Sequence, residues 1–351
     1  MSTGQGVASR CALGKESSFG TAVAVTDIVP FSSESINRAI QQLEKQYLDG
    51  TVGRKGLKNS VVSVLGGLEC EFIWDEESGD PIGLENFLRG FFGASARDAG
   101  NGLNQYKTAN AVDDFYTICF NKQVSNWEIV SAKINTLTIA GESAGKFTLA
   151  VEIIGYDLLR TGDGGITNAI AAVTGLSNTD DPAAMVYDDL VFRIGDQANS
   201  LAAGDQYKID SFELVCNNNL TEPEFSTIDS GHTDSLLTLE PVRNGQREVD
   251  LKITLPRYDS DQIFTWLNNG TALQADLKVA SGSYEFNMLL PNVKIVGDPT
   301  ANIGGAELIK PEINIQAHRL AAKHAYMTYQ DSDTIDDEIG IEAKSGRTTQ
   351  A

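Results

Sequence analysis

Apolar side chains in this chain recur mostly at period two. Leu68, Cys70, Phe72 and Trp74 alternate with Glu69, Glu71 and Ile73, and Leu251, Ile253 and Leu255 alternate with Asp250, Lys252 and Thr254. Successive side chains of an extended strand point to opposite faces, so this spacing describes strands with one face on a core. Similar runs lie at Phe115 to Phe120, Ala132 to Ala140, Lys146 to Ile154, Leu190 to Ile194 and Tyr207 to Cys216. Others lie at Leu273 to Val279, Tyr284 to Leu290 and Glu312 to Ala317. The expected fold is mainly β, of the α+β kind, with two short helices.

In the first helix Asp80 is placed to cap, Pro81 suits the first helical position, and Leu84, Phe87, Leu88 and Phe91 share one face. In the second, Asp259 and Gln262 have the spacing of a capping box, Ile263, Phe264, Trp266 and Leu267 form the apolar stripe, and Gly270 ends it. Trp74, Leu84, Phe87, Leu88, Phe91, Phe264, Trp266 and Leu267 are therefore the expected core of two modules.

The order strand, helix, hairpin, closing strand occurs twice. Glu69 matches Asp250, Phe87 matches Phe264, Ile134 matches Val293 and Val151 matches Ile313. The expected division is an N-terminal arm over 1–27, a module over 28–160, a linker with an edge strand over 161–205, a second module over 206–322 and an acidic arm over 323–351. That last arm is expected to be exposed, and either mobile or ordered on a partner. Each module contains a long polar connection, Gln42 to Ser60 and Asn219 to Ser235. Excursions of that length usually carry function or meet a partner. The first is basic at Lys45, Arg54, Lys55 and Lys58, the second acidic at Glu222, Glu224, Asp229 and Asp234. These eight residues are the expected partner contacts.

Charge narrows the function. Lys and Arg number 27 against 48 Asp and Glu, a net −21, which argues against gripping nucleic acid or an anionic membrane through a broad basic face. No run of about 18 apolar residues suggests a membrane helix. Met1 to Gly20 lack the pattern of a secretory signal, so the chain is expected to stay where it is made. Cys11, Cys70, Cys119 and Cys216 are widely spaced, which suits buried thiols better than a zinc site or a disulfide framework.

Motifs of catalysis fail on inspection. Gly141 to Phe147 (GESAGKF) is one residue short of a phosphate-binding loop, Phe147 stands where a magnesium-binding hydroxyl belongs, and a strand follows instead of a helix. Asp331, Asp333, Asp337 and Glu342 have calcium-loop spacing, yet Asp336 occupies the position that requires Gly. His232, His318 and His324 have no neighbouring nucleophile pattern. No enzyme, cofactor or metal is expected.

Gly14 to Thr21 (GKESSFGT), the repeated strand with its short aromatic helix (Leu84 to Phe92), the strand Ser131 to Ala140 and the segment Ile209 to Leu220 (IDSFELVCNNNL) carry a family resemblance. Together they resemble the major tail tube proteins of long-tailed, non-contractile bacteriophages, over roughly residues 10 to 320. The resemblance implies tandem β-barrel or sandwich modules, each with a flanking helix. It also implies self-assembly into head-to-tail stacked rings in the virion tail, built in the host cytoplasm, with other tail proteins at the tube ends. DNA would pass through the lumen without specific binding. If both halves are modules the ring is a trimer; if the second half is a decoration it is a hexamer. A non-polymerising virion decoration or adhesion β-sandwich is the alternative reading.

Overall fold

The computed structural model describes residues 6–44, 56–73, 82–98, 100, 102–176, 185–224, 237–282, 284–300 and 308–344, with residues 7, 58–60, 298 and 300 described by their backbone alone. It is mainly β, 51% strand and 11% helix, in an open sheet. The first half contains β1 (Arg10–Lys15), β2 (Asp27–Val29), β3 (Phe31–Glu34), β4 (Asn37–Glu44), β5 (Leu57–Glu71) and α1 (Leu84–Phe92). It continues with β6 (Gly93–Asp98), β7 (Leu103–Thr108), β8 (Tyr116–Asn121), β9 (Asn126–Glu142), β10 (Thr148–Gly155) and β11 (Asp157–Arg160). After α2 (Ile170–Gly175) come β12 (Leu190–Asp196), β13 (Gln206–Tyr207), β14 (Ser211–Asn217) and β15 (Glu248–Thr254). The chain ends with α3 (Gln262–Asn269), β16 (Leu273–Ser281), β17 (Tyr284–Thr300), β18 (Glu312–Ala317) and β19 (Gly340–Lys344).

Two 17-residue strands organise the fold by serving two layers each. The first half of β9 lies between β8 and β11, with β1 and β2 beyond β8. Its second half lies between β10 and β14. The pivot is Ser131, a buried non-glycine residue at φ +49°, held by Glu16, whose carboxylate accepts from the Ser131 amide at 2.9 Å and from its hydroxyl. A left-handed residue inside a strand is unfavourable unless its surroundings fix it, and this buried carboxylate does so. β17 repeats the arrangement. Its first half lies between β16 and β19, its second half pairs with β18, and the register with β16 slips next to Pro291.

The strands that form the central sheet follow one order in both halves. In the first, β4 is followed by β5, β10 and β9; in the second, β14 by β15, β18 and β17. With Val151 matched to Ile313, the pairing registers carry the other counterparts. Val151 faces Leu68 as Ile313 faces Ile253, and Ile153 faces Ile134 as Ile315 faces Ile295. The counterpart of Ile134 is thus Ile295, two residues beyond the Val293 that spacing alone suggests. Likewise Gly66, opposite Ile153, corresponds to Leu251, so Glu69 and Asp250 are not equivalent. Irregularities in the ladders cause these offsets. At Gly66 (φ +143°) an added Cβ would lie 2.5 Å from the Ser35 carbonyl oxygen, so the break between β3 and β4 requires glycine.

One apolar cluster runs through both halves, including Phe87, Phe91, Phe120, Phe147, Phe212 and Phe286. α1 is buried along nearly its whole length, since the β6–β7 hairpin covers it and Gly90 admits Tyr116 and Ile134 against its axis. α3 leads straight into β16 without such a hairpin. Only Ile263 is buried there, and Phe264, Trp266 and Leu267 are half-buried. The capping expected from sequence differs as well. Gly83 stands at the N-cap of α1, with Asp80 outside the described residues. Asp261 rather than Asp259 stands at that of α3, where the Ser260 hydroxyl accepts from the Gln262 amide at 3.2 Å.

Two segments are more ordered than their composition suggests. Residues 161–176 fold over β1 and β8, tied by the buried Glu128 carboxylate, which accepts from the amides of Thr167 (2.9 Å) and Asn168 (2.7 Å) and from the Asn168 side chain (2.8 Å). The acidic tail, expected as an exposed arm, returns to the same molecule. β19 inserts between β17 and β7 with Ile341 and Ala343 buried, and Met327, Tyr329 and Ile335 pack with Leu289. Alternating Ile341, Ala343 and charged neighbours supply a strand where net charge suggested none.

The turn that seats this tail depends on a neutral histidine. His324 is buried, and its Nδ1 accepts from the amides of Met327 (2.7 Å) and Tyr326 (3.0 Å). Burial holds its pKa below the ordinary value of 6.5. The folded state therefore binds fewer protons than the unfolded one just below that value, so stability is full above pH 6.5 and falls as pH drops through the shifted pKa. Thermal unfolding between pH 8 and pH 5 should show a steeper acid-side decline for the native chain than for His324→Asn, which keeps an acceptor but no titrating group; equal slopes would contradict this account.

Candidate functional site: the outward sheet face and the seam

Because each strand of the central sheet alternates, the residues between the core positions form one outward face. The pairing registers align them across seven strands. One row runs Glu71, Thr148, Ala140, Glu213, Lys252, Asn314 and Val296. The next runs Glu69, Ala150, Thr138, Val215, Asp250, Gln316 and Lys294. Glu142, Glu152, Glu248 and Glu312 are exposed on the same face. Its carboxylates thus come from both halves, with Lys252 and Lys294 as the cations in these two rows.

The register makes this charge density tolerable. No carboxylate of this face stands directly opposite another: Glu152 faces Thr136 and Gly67, Glu142 faces Ser211, Glu248 faces Asn217, and Glu213 faces Ala140 and Lys252. Like charges in direct opposition would destabilise a ladder, so their spacing keeps the sheet intact. Lys252 pairs with Glu312 at 3.2 Å and Lys146 with Glu71 at 2.6 Å. Exposed pairs of this kind contribute about 0–1 kcal/mol each and leave the face negative overall.

The two halves meet where β9 pairs with β14, in register from Thr136↔Asn217 to Glu142↔Ser211. At one end of this seam the segments 218–224 and 239–247 fold together, the Thr221 amide donating to the Val242 carbonyl at 2.7 Å and the Leu239 amide to the Glu224 carbonyl at 2.8 Å. They clasp the first half. Lys133, only 2% exposed, donates to the Glu240 carboxylate at 2.6 Å and to the Pro241 carbonyl at 3.0 Å. Asn218 donates to the Phe91 carbonyl at 2.8 Å, Arg243 to those of Ala109 (3.1 Å) and Asn110 (3.0 Å), and Arg247 to that of Ala109 at 3.0 Å. Burial lowers the Arg247 pKa and the adjacent Arg243 adds to the effect, while Glu338 of the tail, 3.6 Å away, opposes it. Two halves and tail are joined at one polar cluster.

Beyond the seam the sheet stays open. Among the described residues β4 pairs on one side only, with β5, and the second half of β17 pairs only with β18. Ile40, Leu43 and Leu57 are 41%, 50% and 61% exposed on the β4–β5 hairpin, and Val296 is 37% exposed on β17.

Of the residues singled out from sequence, Leu84, Phe87, Leu88 and Phe91 are buried in α1, and Phe264, Trp266 and Leu267 lie half-buried on α3. Glu222 and Glu224 are exposed on the clasp segment. Lys58 stands in β5 opposite Leu43, described by its backbone alone. Lys45, Arg54, Lys55, Asp229, Asp234 and Trp74 lie outside the described residues. Lys133, Asn218, Arg243 and Arg247 were not expected. The signal available for them was two arginines placed four apart in an acidic chain. The phosphate-loop lookalike is the β9–β10 turn, with Ala144 at φ +62°. Among the described residues no His, Cys, Asp and Glu side chains gather in threes as a metal would need, and no helix is long and apolar enough to cross a membrane.

A search of curated proteins returns no match to the chain. A family model described as phage tail tube protein matches residues 6–317, which span both halves, the seam and the whole acidic face. This chain belongs to the phage tail tube protein family, and is a structural component of the virion tail.

Proposed function

We propose that copies of this chain join into rings that stack head to tail as the tube of a long, non-contractile tail, and that the acidic sheet face lines the DNA passage. The observation that carries the reading is the seam. Within one chain, the last strand of the first four-strand unit, β9, pairs with the first strand of the second, β14. The corresponding outer strands, β4 and the second half of β17, each keep one edge without a strand partner among the described residues. Exposed edges of this kind are an aggregation hazard unless a partner pairs them, and closing the sheet removes the hazard. With two units per chain, three chains complete six units. The role is structural rather than catalytic.

The negative face supports passage of DNA. Phosphates next to unpaired carboxylates meet weak repulsion, about 1 kcal/mol per charge pair at 4 Å in bulk water. A duplex would then slide without adhering. Replacing Glu152, Glu213, Glu248 and Asp250 by lysine should turn the assembled protein into a salt-sensitive DNA binder, measured by duplex retention at low and at moderate ionic strength. Because the four positions are exposed, folding should be retained; a fully charge-reversed face that still ignores DNA would contradict the lumen assignment.

Stacking is assigned to the two long polar connections. Lys45, Arg54, Lys55 and Lys58 fall in the basic connection Gln42 to Ser60 of the sequence, and we assign them to an acidic surface of the adjacent ring; Glu222, Glu224, Asp229 and Asp234 fall in the acidic connection Asn219 to Ser235. Opposite charges on successive rings favour head-to-tail over head-to-head contact. Electron microscopy of the purified protein tests the whole reading: hollow filaments with three copies per ring are expected end-on. Arg54→Glu, Lys55→Glu and Lys58→Glu together should leave folded rings or single chains without filaments. Monodisperse single particles of the native chain at high concentration would instead favour a decoration protein.

A further inference from the structure

We propose a residue-level register for the seam between neighbouring copies: Val296 of one copy opposite Ala39 of the next, and Thr300 opposite Asn37, in an antiparallel pair of β17 with β4. The inference rests on the ring reading above and specifies its interface. It follows from carrying the internal seam over through strand pairings, with Val151 matched to Ile313 as the starting equivalence. Thr136 faces Glu152 within the first half, and Val296 faces Asn314 within the second. Glu152 and Asn314 each lie one residue before the matched pair Ile153 and Ile315, so Thr136 and Val296 are counterparts.

The other strand is treated in the same way. Asn217 faces Glu248, and Ala39 faces Ser63. Glu248 and Ser63 each precede the matched pair Val249 and Val64 by one residue, since Val64 and Val249 lie two residues from Gly66 and Leu251. The internal contact Thr136↔Asn217 therefore becomes Val296↔Ala39 between copies. Across the irregularity of β17 between Val296 and Thr300, where β17 advances four residues against two, Thr138↔Val215 becomes Thr300↔Asn37, because Ala150 corresponds to Glu312, which faces Thr300, and Asp250 corresponds to Leu65, which faces Asn37.

Exposure agrees with this register. Ile40, Leu65 and Val296 are 41%, 43% and 37% exposed in the single chain, all on or beside the two edges that would meet. β4 offers little to keep strands away: its residues NRAIQQLE include one arginine and a terminal glutamate, with no proline. A second copy presenting β17 would cover this row, as β9 covers β14 within the chain.

Cysteine cross-linking tests the register, since directly opposed residues of an antiparallel pair lie within disulfide reach. The four native cysteines are buried and unpaired, so they leave a low background. Assemblies of Ala39→Cys with Val296→Cys are oxidised, denatured and resolved by size, beside the two-residue-shifted pair Ala39→Cys with Lys294→Cys. The expected result is linkage between copies at least about ten times faster for the first pair, with closed three-copy species as the largest product. Filaments in which the shifted pair links as fast, or in which neither pair links, would overturn the register while leaving the tube reading standing. A native chain that forms no rings or filaments at all would remove both.

Discussion

The antiparallel seam between β9 and β14 is the interaction on which the rest of this molecule depends. It joins two units whose strands follow the same order, and it does so with main-chain hydrogen bonds, which ask little of the side chains that meet there. A side-chain interface would need matched shapes on both surfaces. A ladder needs only edges in register, and the side chains are then sorted by alternation into core and outward face. For this reason the same mode of joining can operate within a chain and between chains.

Alternation also explains how one set of strands can be both well packed and highly charged. Leu68, Leu137, Leu214, Leu251 and Ile313 fill the core, while Glu69, Glu213, Asp250 and Glu312 stand one residue away on the opposite face. A slip of one residue would bury carboxylates and expose leucines, so core and acidic face specify the register jointly. The long strands add the second layer. Only a fixed pivot, Ser131 with Glu16 in β9 and the slip beside Pro291 in β17, lets one strand leave one sheet for another without losing its ladder.

Much of this was legible in period-two spacing, in the helix stripe Leu84 to Phe91 and in the twofold order of elements. The matching of the halves was legible only coarsely, because bulges shift the offset: once Val151 is matched to Ile313, Ile134 corresponds to Ile295 and not Val293. The polar clasp was not legible. Lys133 sits in an ordinary strand sequence, and nothing near it in the chain names Glu240, more than a hundred residues later. The tail misled in the same way, since its carboxylates suggested an arm while Ile341, Ala343, Met327 and Tyr329 supplied enough apolar surface to dock it.

Sequence by itself determined that this chain is built of strands, that the order of its elements recurs, that it is acidic and that it holds no recognisable catalytic motif. These are properties of spacing and composition, which act locally along the chain. Tertiary structure alone decided which strands pair across the two halves, which carboxylates share one face, where the tail returns and which edges stay open. Each of those depends on contacts between residues far apart in sequence, and a ladder register is chosen by the packing of both its strands together.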